Sequence, residues 1–294
     1  KIILNLKLQK NIKNDSYLRR SFFQLAKNTF DLSFEQWYQN GYWTDSYIPY
    51  VLHENGTVVA NASVNIIDTL WQGEKKRYIQ LGTVMTETAY RNRGYSRFLI
   101  EEILSDWIIN CDAIYLYAND TVLDFYPKFG FIQANEYQYS QTVTSKKAGH
   151  FQKLSMSESQ NRELLKRYYE KSNPYSALPL IDNFGLVMFY CTTVFKNCVY
   201  YSDKYHAVAI ANAVGTDLTL IDIFCEDTKV DLAEITAALA LPETINIIYG
   251  FTPKSVNTCT VQQLTEEDTT LFILQRKENI FAGNQIMFPI LSHA

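Results

Sequence analysis

The sequence has no CxxC pair, no cluster of histidine with cysteine, and no apolar run of the ~18 residues that a membrane-spanning helix needs. Its four histidines are scattered, so nothing has the spacing of a zinc or other metal site. The five cysteines (Cys111, Cys191, Cys198, Cys225 and Cys259) are odd in number and dispersed among strand-like apolar residues. That excludes a disulfide framework and fits reduced, mostly buried thiols. No secretory leader is recognisable, and the expected location is cytoplasmic. An excess of positive charge is also absent, with 27 Lys and Arg against 31 Asp and Glu and a net charge of −4. This argues against a nucleic-acid binder and is compatible with a cationic amine as ligand.

Apolar residues are plentiful instead. They make 47% of 294 residues, aromatics 14% and charged residues 20%, enough for two cores and too many for a disordered chain. The stretch Ile79–Trp107, IQLGTVMTETAYRNRGYSRFLIEEILSDW, organises the rest. Residues 79–86 read as a strand. Strict alternation puts Ile79, Leu81, Thr83 and Met85 on one face and Gln80, Gly82, Val84 and Thr86 on the other. Ile100, Ile103, Leu104 and Trp107 recur at helical spacing, which predicts an amphipathic helix from about Gly94. Between strand and helix lies Arg91-Asn92-Arg93-Gly94-Tyr95-Ser96. First-turn N–H groups of a helix have no intrahelical partner, and the dipole makes that end positive. Gly94 permits close backbone approach. Arg91, Arg93 and Arg97 add charge, so the loop is a candidate phosphate cradle. Taken alone, it reads equally as a basic turn before a helix.

The loop Arg-x-x-Gly-x-Ser resembles the Gln/Arg-x-x-Gly-x-Gly/Ala loop of the GCN5-related N-acetyltransferases, the GNAT superfamily. In that family it binds the pyrophosphate of acetyl-coenzyme A. Ser96 departs from the last position but is small. Downstream, AIYLYANDTVLDFYPKFGF (113–131) is similar to the family's next motif: strand, asparagine, short helix, tyrosine, Gly-Phe. Asn119 and Tyr126 stand seven apart. The resemblance covers residues 48–131 and extends weakly beyond.

It implies a GNAT fold of α+β class, an α/β sandwich on a mixed, mostly antiparallel sheet. It also implies acetyl-CoA as co-substrate. Asn92, Arg93, Gly94, Tyr95, Ser96 and Arg97, with Arg91, would hold the pyrophosphate. Val84, Met85 and Thr86 would run along the pantetheine arm, where a backbone N–H faces the thioester carbonyl, and Asn119 would bond the same arm. The implied reaction is direct acetyl transfer to a primary amine of a small molecule or peptide, through a tetrahedral intermediate. Tyr126 is the general-acid candidate, because a phenol is protonated at neutral pH and can donate to a leaving thiolate. For the base, Glu87 follows the strand. Tandem proteins resembling this chain also place a C-terminal carboxylate in the active site, which makes Ala294 a second candidate. His293 is expected at the surface or pocket rim. The alternative is a non-catalytic acyl-CoA-binding regulatory or assembly module, which shares the loop and lacks the chemistry. A homo-oligomer is left open.

The length suits two domains, with a boundary expected at Lys146-Lys147-Ala148-Gly149: residues 1–147 catalytic, residues 148–294 a second, degenerate GNAT-like domain. In the first, a strand over residues 1–12 precedes a helix capped by Asp15 or Ser16. A capping box at Ser33 and Gln36 then starts a second helix. In the family this pair covers the acceptor side, where Phe30, Phe34, Trp37, Tyr38, Tyr42 and Trp43 are pocket candidates or core. Asn55-Gly56 marks a hairpin, and Tyr137–Val143 is expected to close the first sheet. The second half repeats the order strand, strand, strand, helix, strand. Its corresponding loop, Cys225–Leu232, has no glycine and three carboxylates. Such a loop repels a pyrophosphate, which implies that the second half has no working cofactor site of its own.

Overall fold

Two seven-stranded sheets carry the chain in a computed structural model that describes residues 6–143 and 150–294. The expected boundary at 146–149 lies outside the described residues. The first half contributes β1 (Lys7–Lys10), α1 (Ser16–Phe30), α2 (Glu35–Gln39), β2 (Tyr47–Glu54), β3 (Thr57–Trp71), β4 (Glu74–Thr86), α3 (Tyr95–Trp107), β5 (Ala113–Ala118), β6 (Phe131–Gln133) and β7 (Tyr137–Thr142). The second contributes β8 (Gln152–Lys153), α4 (Ser159–Tyr169), α5 (Phe184–Thr192), β9 (Val199–Ser202), β10 (Ala207–Val214), β11 (Asp217–Cys225), α6 (Leu232–Leu239), β12 (Asn246–Tyr249), β13 (Thr260–Gln263) and β14 (Thr270–Leu274). The fold is α+β, with two mostly antiparallel sheets.

Local chemistry explains most of these elements. Asn55 and Gly56 adopt φ of +50° and +87°, and Gln72 and Gly73 adopt +52° and +85°, so two tight turns join β2, β3 and β4. Asp15 caps α1 by accepting from the N–H groups of Tyr17 and Leu18. The expected capping box at Ser33 and Gln36 does not form. The cap of α2 is Phe34, with no side-chain cap, and its ring joins Phe22, Trp37 and Tyr47 in an aromatic cluster. α3 buries Leu99, Ile100 and Ile103 completely against Ile79, Leu81, Ile114 and Leu116. Each such side chain stabilises the fold by about 1.5–3 kcal/mol.

The sheets exchange strands. The first runs β1-β2-β3-β4-β5-β14-β6, and the second, read from the matching edge, runs β8-β9-β10-β11-β12-β7-β13. In each, a crossover helix makes two strands parallel, β4 with β5 and β11 with β12. The next place is filled by the other half. β14 pairs with β5 and β6 in the first sheet, and β7 pairs with β12 and β13 in the second. The expectation that 137–143 closes the first sheet is therefore corrected. Its hydrogen bonds go to the second sheet, and 270–274 takes the place in the first.

A β-bulge corrects a second expectation. Asn61 pairs with Met85, and Ser63 with Gly82, so Thr83 and Val84 together oppose Ala62. Thr83 takes φ +49°. The extra residue breaks the two-residue alternation. Val84 therefore packs with Ile79 and Leu81, while Met85 joins the cluster under α1 and α2.

Candidate functional site

β4 and β5 pair only from Tyr78–Ala113 to Leu81–Leu116, although β4 continues to Thr86. Beyond Leu81 the two strands have no ladder between them, and a cleft of about 430 Å³ opens there. Val84, Met85, Thr86, Asn119 and Tyr126 line it, with the whole of Arg91–Arg97. These are the residues named from the sequence for cofactor and acid. Thr29, Phe30, Tyr90, Val122 and Phe125 also line it. Of these, sequence reasoning placed only Phe30, and on the acceptor side; no motif marks the other four.

The bulge is pinned by a buried polar network. The Asn61 amide donates to Ser63 Oγ (2.9 Å) and to the Thr83 carbonyl (2.8 Å). Ser63 Oγ donates to Tyr47 Oη (3.0 Å), which also bonds Thr83 Oγ1 (2.9 Å). Asn61 Oδ1 is buried without a partner among the described residues.

At the other end of the cleft, α3 begins without a side-chain cap or an acidic residue in its first turn. Gly94 is its N-cap at φ +83°, and a Cβ there would meet nothing within 4 Å. The position needs glycine for its backbone conformation, and the space in front stays open. Asn92 is also left-handed, at φ +61°. Arg91 Nε donates to the Thr86 carbonyl (3.2 Å) and Arg93 Nη2 to that of Ala89 (3.0 Å). Ser96 Oγ bonds Thr86 Oγ1 at 3.0 Å, so the departure from Gly or Ala ties the loop to the end of β4. Open N–H groups, a positive helix end and three arginines suit an anionic diphosphate.

Tyr126 opens a short turn, Tyr126–Phe129, and is 6% exposed among Phe125, Phe131 and Phe272. Burial pushes its phenol up to about 12, so it is protonated at neutral pH. The Asn119 amide donates to Asp268 of the second half.

Both base candidates lie elsewhere. Glu87 is outside the cleft lining; its carboxylate accepts the Thr88 N–H at 3.0 Å and caps the turn Thr88–Tyr90. Ala294 is also outside the lining. Its main chain is seated on β4, where the Ala294 N–H donates to Gln80 Oε1 (2.8 Å) and Gln80 Nε2 donates to the Ser292 carbonyl (2.7 Å). A methyl group at Gly82 would lie 2.9 Å from the Ala294 carbonyl oxygen. His293 faces inward: Tyr117 Oη bonds both His293 Nε2 (2.9 Å) and Glu136 Oε1 (3.1 Å). Of the aromatics considered for an acceptor pocket, Phe34, Trp37 and Trp43 are core, with Trp37 Nε1 donating to the Gly185 carbonyl and Trp43 Nε1 to that of Tyr47. Among the described residues no three His, Cys, Asp or Glu side chains converge as metal ligands would, and no helix is long and apolar enough to cross a membrane.

A family model, the acetyltransferase (GNAT) family, matches residues 15–131. Those residues are a GNAT-family domain. The family is one of acyl-transfer enzymes, and the cleft lies within or beside the match. No curated protein sequence matches the chain. A conserved protein from Enterococcus faecalis V583, described as a "Probable N-Acyltransferase", superposes with a TM-score of 0.59 at 15% identity, covering 92% of this chain and 72% of that one. Eis1 from Mycobacterium abscessus gives 0.56 at 13% identity, over 90% and 72%. A GCN5-related N-acetyltransferase from Kribbella flavida gives 0.54 at 13%, over 91% and 71%. At these identities the likeness is one of fold. It reaches past the GNAT domain into the second half.

Proposed function

We propose that the chain is an acetyl-CoA-dependent N-acetyltransferase that moves the acetyl group to a primary amine of a small molecule or peptide. The observation that supports it most is the single cleft in which the uncapped start of α3 and the buried phenol of Tyr126 meet. Backbone N–H groups of 92–97, with Arg91, Arg93 and Arg97, hold the diphosphate of the co-substrate. The unpaired edge of β4 at Val84–Thr86 receives the pantetheine arm and presents an N–H to the thioester carbonyl, where negative charge develops in the tetrahedral intermediate. Tyr126 keeps its proton at neutral pH and gives it to the departing thiolate.

The second half serves as a degenerate partner domain. At the start of α6 the Asp231 carboxylate accepts the Ala233 N–H, so an acidic cap sits where the first half leaves donors open.

The test is thermal. Coenzyme A at 100 times its dissociation constant stabilises a binding protein by about 2.7 kcal/mol. Arg93→Glu abolishes that shift. Tyr126→Phe keeps the shift and lowers kcat by about 10²–10³. A flat melting temperature with coenzyme A sinks the cofactor reading. Intact binding with no transfer to any amine leaves the non-catalytic module.

A further inference from the structure

We propose that Asp268, carried by the exchanged strand, is a positioning residue of the first half's cleft: it fixes which end of the Asn119 amide faces the ligand. The proposal rests on the cofactor reading above. Asn119 stands at the end of β5 and lines the cleft. Its Nδ2 donates to Asp268 Oδ2 at 2.9 Å and to the Asp268 carbonyl at 3.5 Å. Asp268 Oδ1 accepts the Asp120 N–H at 2.7 Å.

An ionised carboxylate only accepts, so the amide cannot turn round without setting oxygen against oxygen. Nδ2 is held toward Asp268, and Oδ1 is the atom left for the cleft. There it accepts an N–H from a ligand's amide. The same two hydrogen bonds hold the Asp268 carboxyl below its usual range, so the clamp stays ionised at neutral pH. Asp268 sits at φ +53° in the turn between Glu266 and Thr269, which leads directly into β14. In β14, Thr270 pairs with Ala118 and Phe272 packs 6.1 Å from the Tyr126 ring. One piece of the second half therefore touches both Asn119 and Tyr126.

The test is calorimetric titration of coenzyme A into the full chain and into Asn119→Ala, Asp268→Ala, Asp268→Asn and the double alanine variant. Asp268→Ala weakens binding about tenfold, the scale of a hydrogen bond to a charged group. The double variant binds no more weakly than Asn119→Ala, because Asp268 acts through that amide. Asp268→Asn, which keeps the turn's shape and an acceptor for Asp120, turns the Asn119 amide round and binds as poorly as Asp268→Ala. KM for the acetyl donor rises, while kcat and the acceptor's KM hold. Asp227→Ala, an exposed carboxylate paired with Lys229, changes none of these. Additive losses, or unaltered affinity in either Asp268 variant, overturn the proposal alone. No binding by the unaltered chain overturns the cofactor reading and the proposal with it.

Discussion

Glu136 shows how far a residue's role depends on its surroundings. Its Oε1 accepts from the Phe288 N–H (2.8 Å) and from Tyr117, and burial pushes its carboxyl from 4.5 up to about 7. A folded value above the unfolded one means that the fold favours the protonated acid. That contribution is complete below about pH 4.5 and is lost as pH rises through 7. Asp222, buried against Asn173 and also raised to about 7, acts in the same direction. His293, lowered to about 4 by burial, acts oppositely and costs stability as pH falls below its ordinary 6.5. Glu136→Gln keeps an acceptor for both bonds and removes one titration. Denaturation from pH 5 to 8 should therefore show the native chain losing about 2 kcal/mol relative to this variant. Equal slopes would mean that Glu136 is ionised in the fold. Nothing in Phe131-Ile132-Gln133-Ala134-Asn135-Glu136 marks this residue, because the groups that bond it come from 117 and 288.

The decisive element is β4. Its apolar pattern, its glycine-containing loop and the helix after it are legible, since each depends on neighbours in sequence. The bulge is not, because it depends on how Asn61, Ser63 and Tyr47 engage Thr83. β4 also carries Gly82, where a Cβ would stand 2.9 Å from both the Ala294 carbonyl oxygen and Asn65 Nδ2. Gly82→Ala should displace the 292–294 segment and destabilise the chain by about 1–3 kcal/mol, as overpacking does. Amine transfer should fall further than the melting temperature implies, because Gly82 precedes the bulged segment of β4 that lines the cleft. An unchanged melting temperature and kcat would show that this contact is dispensable. α5 escaped sequence reading for a related reason. Phe184–Thr192 is apolar all round and buried on most sides, so it has no stripe to read.

Strand exchange makes the molecule one unit. β14 covers the first core with Phe272 and Leu274, and β7 puts Tyr139 into the second. Residues 1–143 alone lack β14, leaving β5 and β6 without the strand between them. Expressed alone, that fragment should aggregate or unfold. A chain cleaved between 143 and 150 should elute as one species of unchanged size and part only on denaturation. Separation of folded halves under native conditions would contradict the exchanged sheets.

The sequence by itself determined the strand–loop–helix cradle, the Asn119–Tyr126 motif, the hairpin turns and the repeat of order between halves. These follow from local backbone preference and periodicity, which neighbouring residues encode. Tertiary structure alone decided which half each last strand completes, that Glu87 caps a turn, and that Asp268 and Gln80 hold groups far away in sequence. The strand exchange and the Asp268 and Gln80 contacts depend on hydrogen bonding between segments more than a hundred residues apart, which no local pattern records.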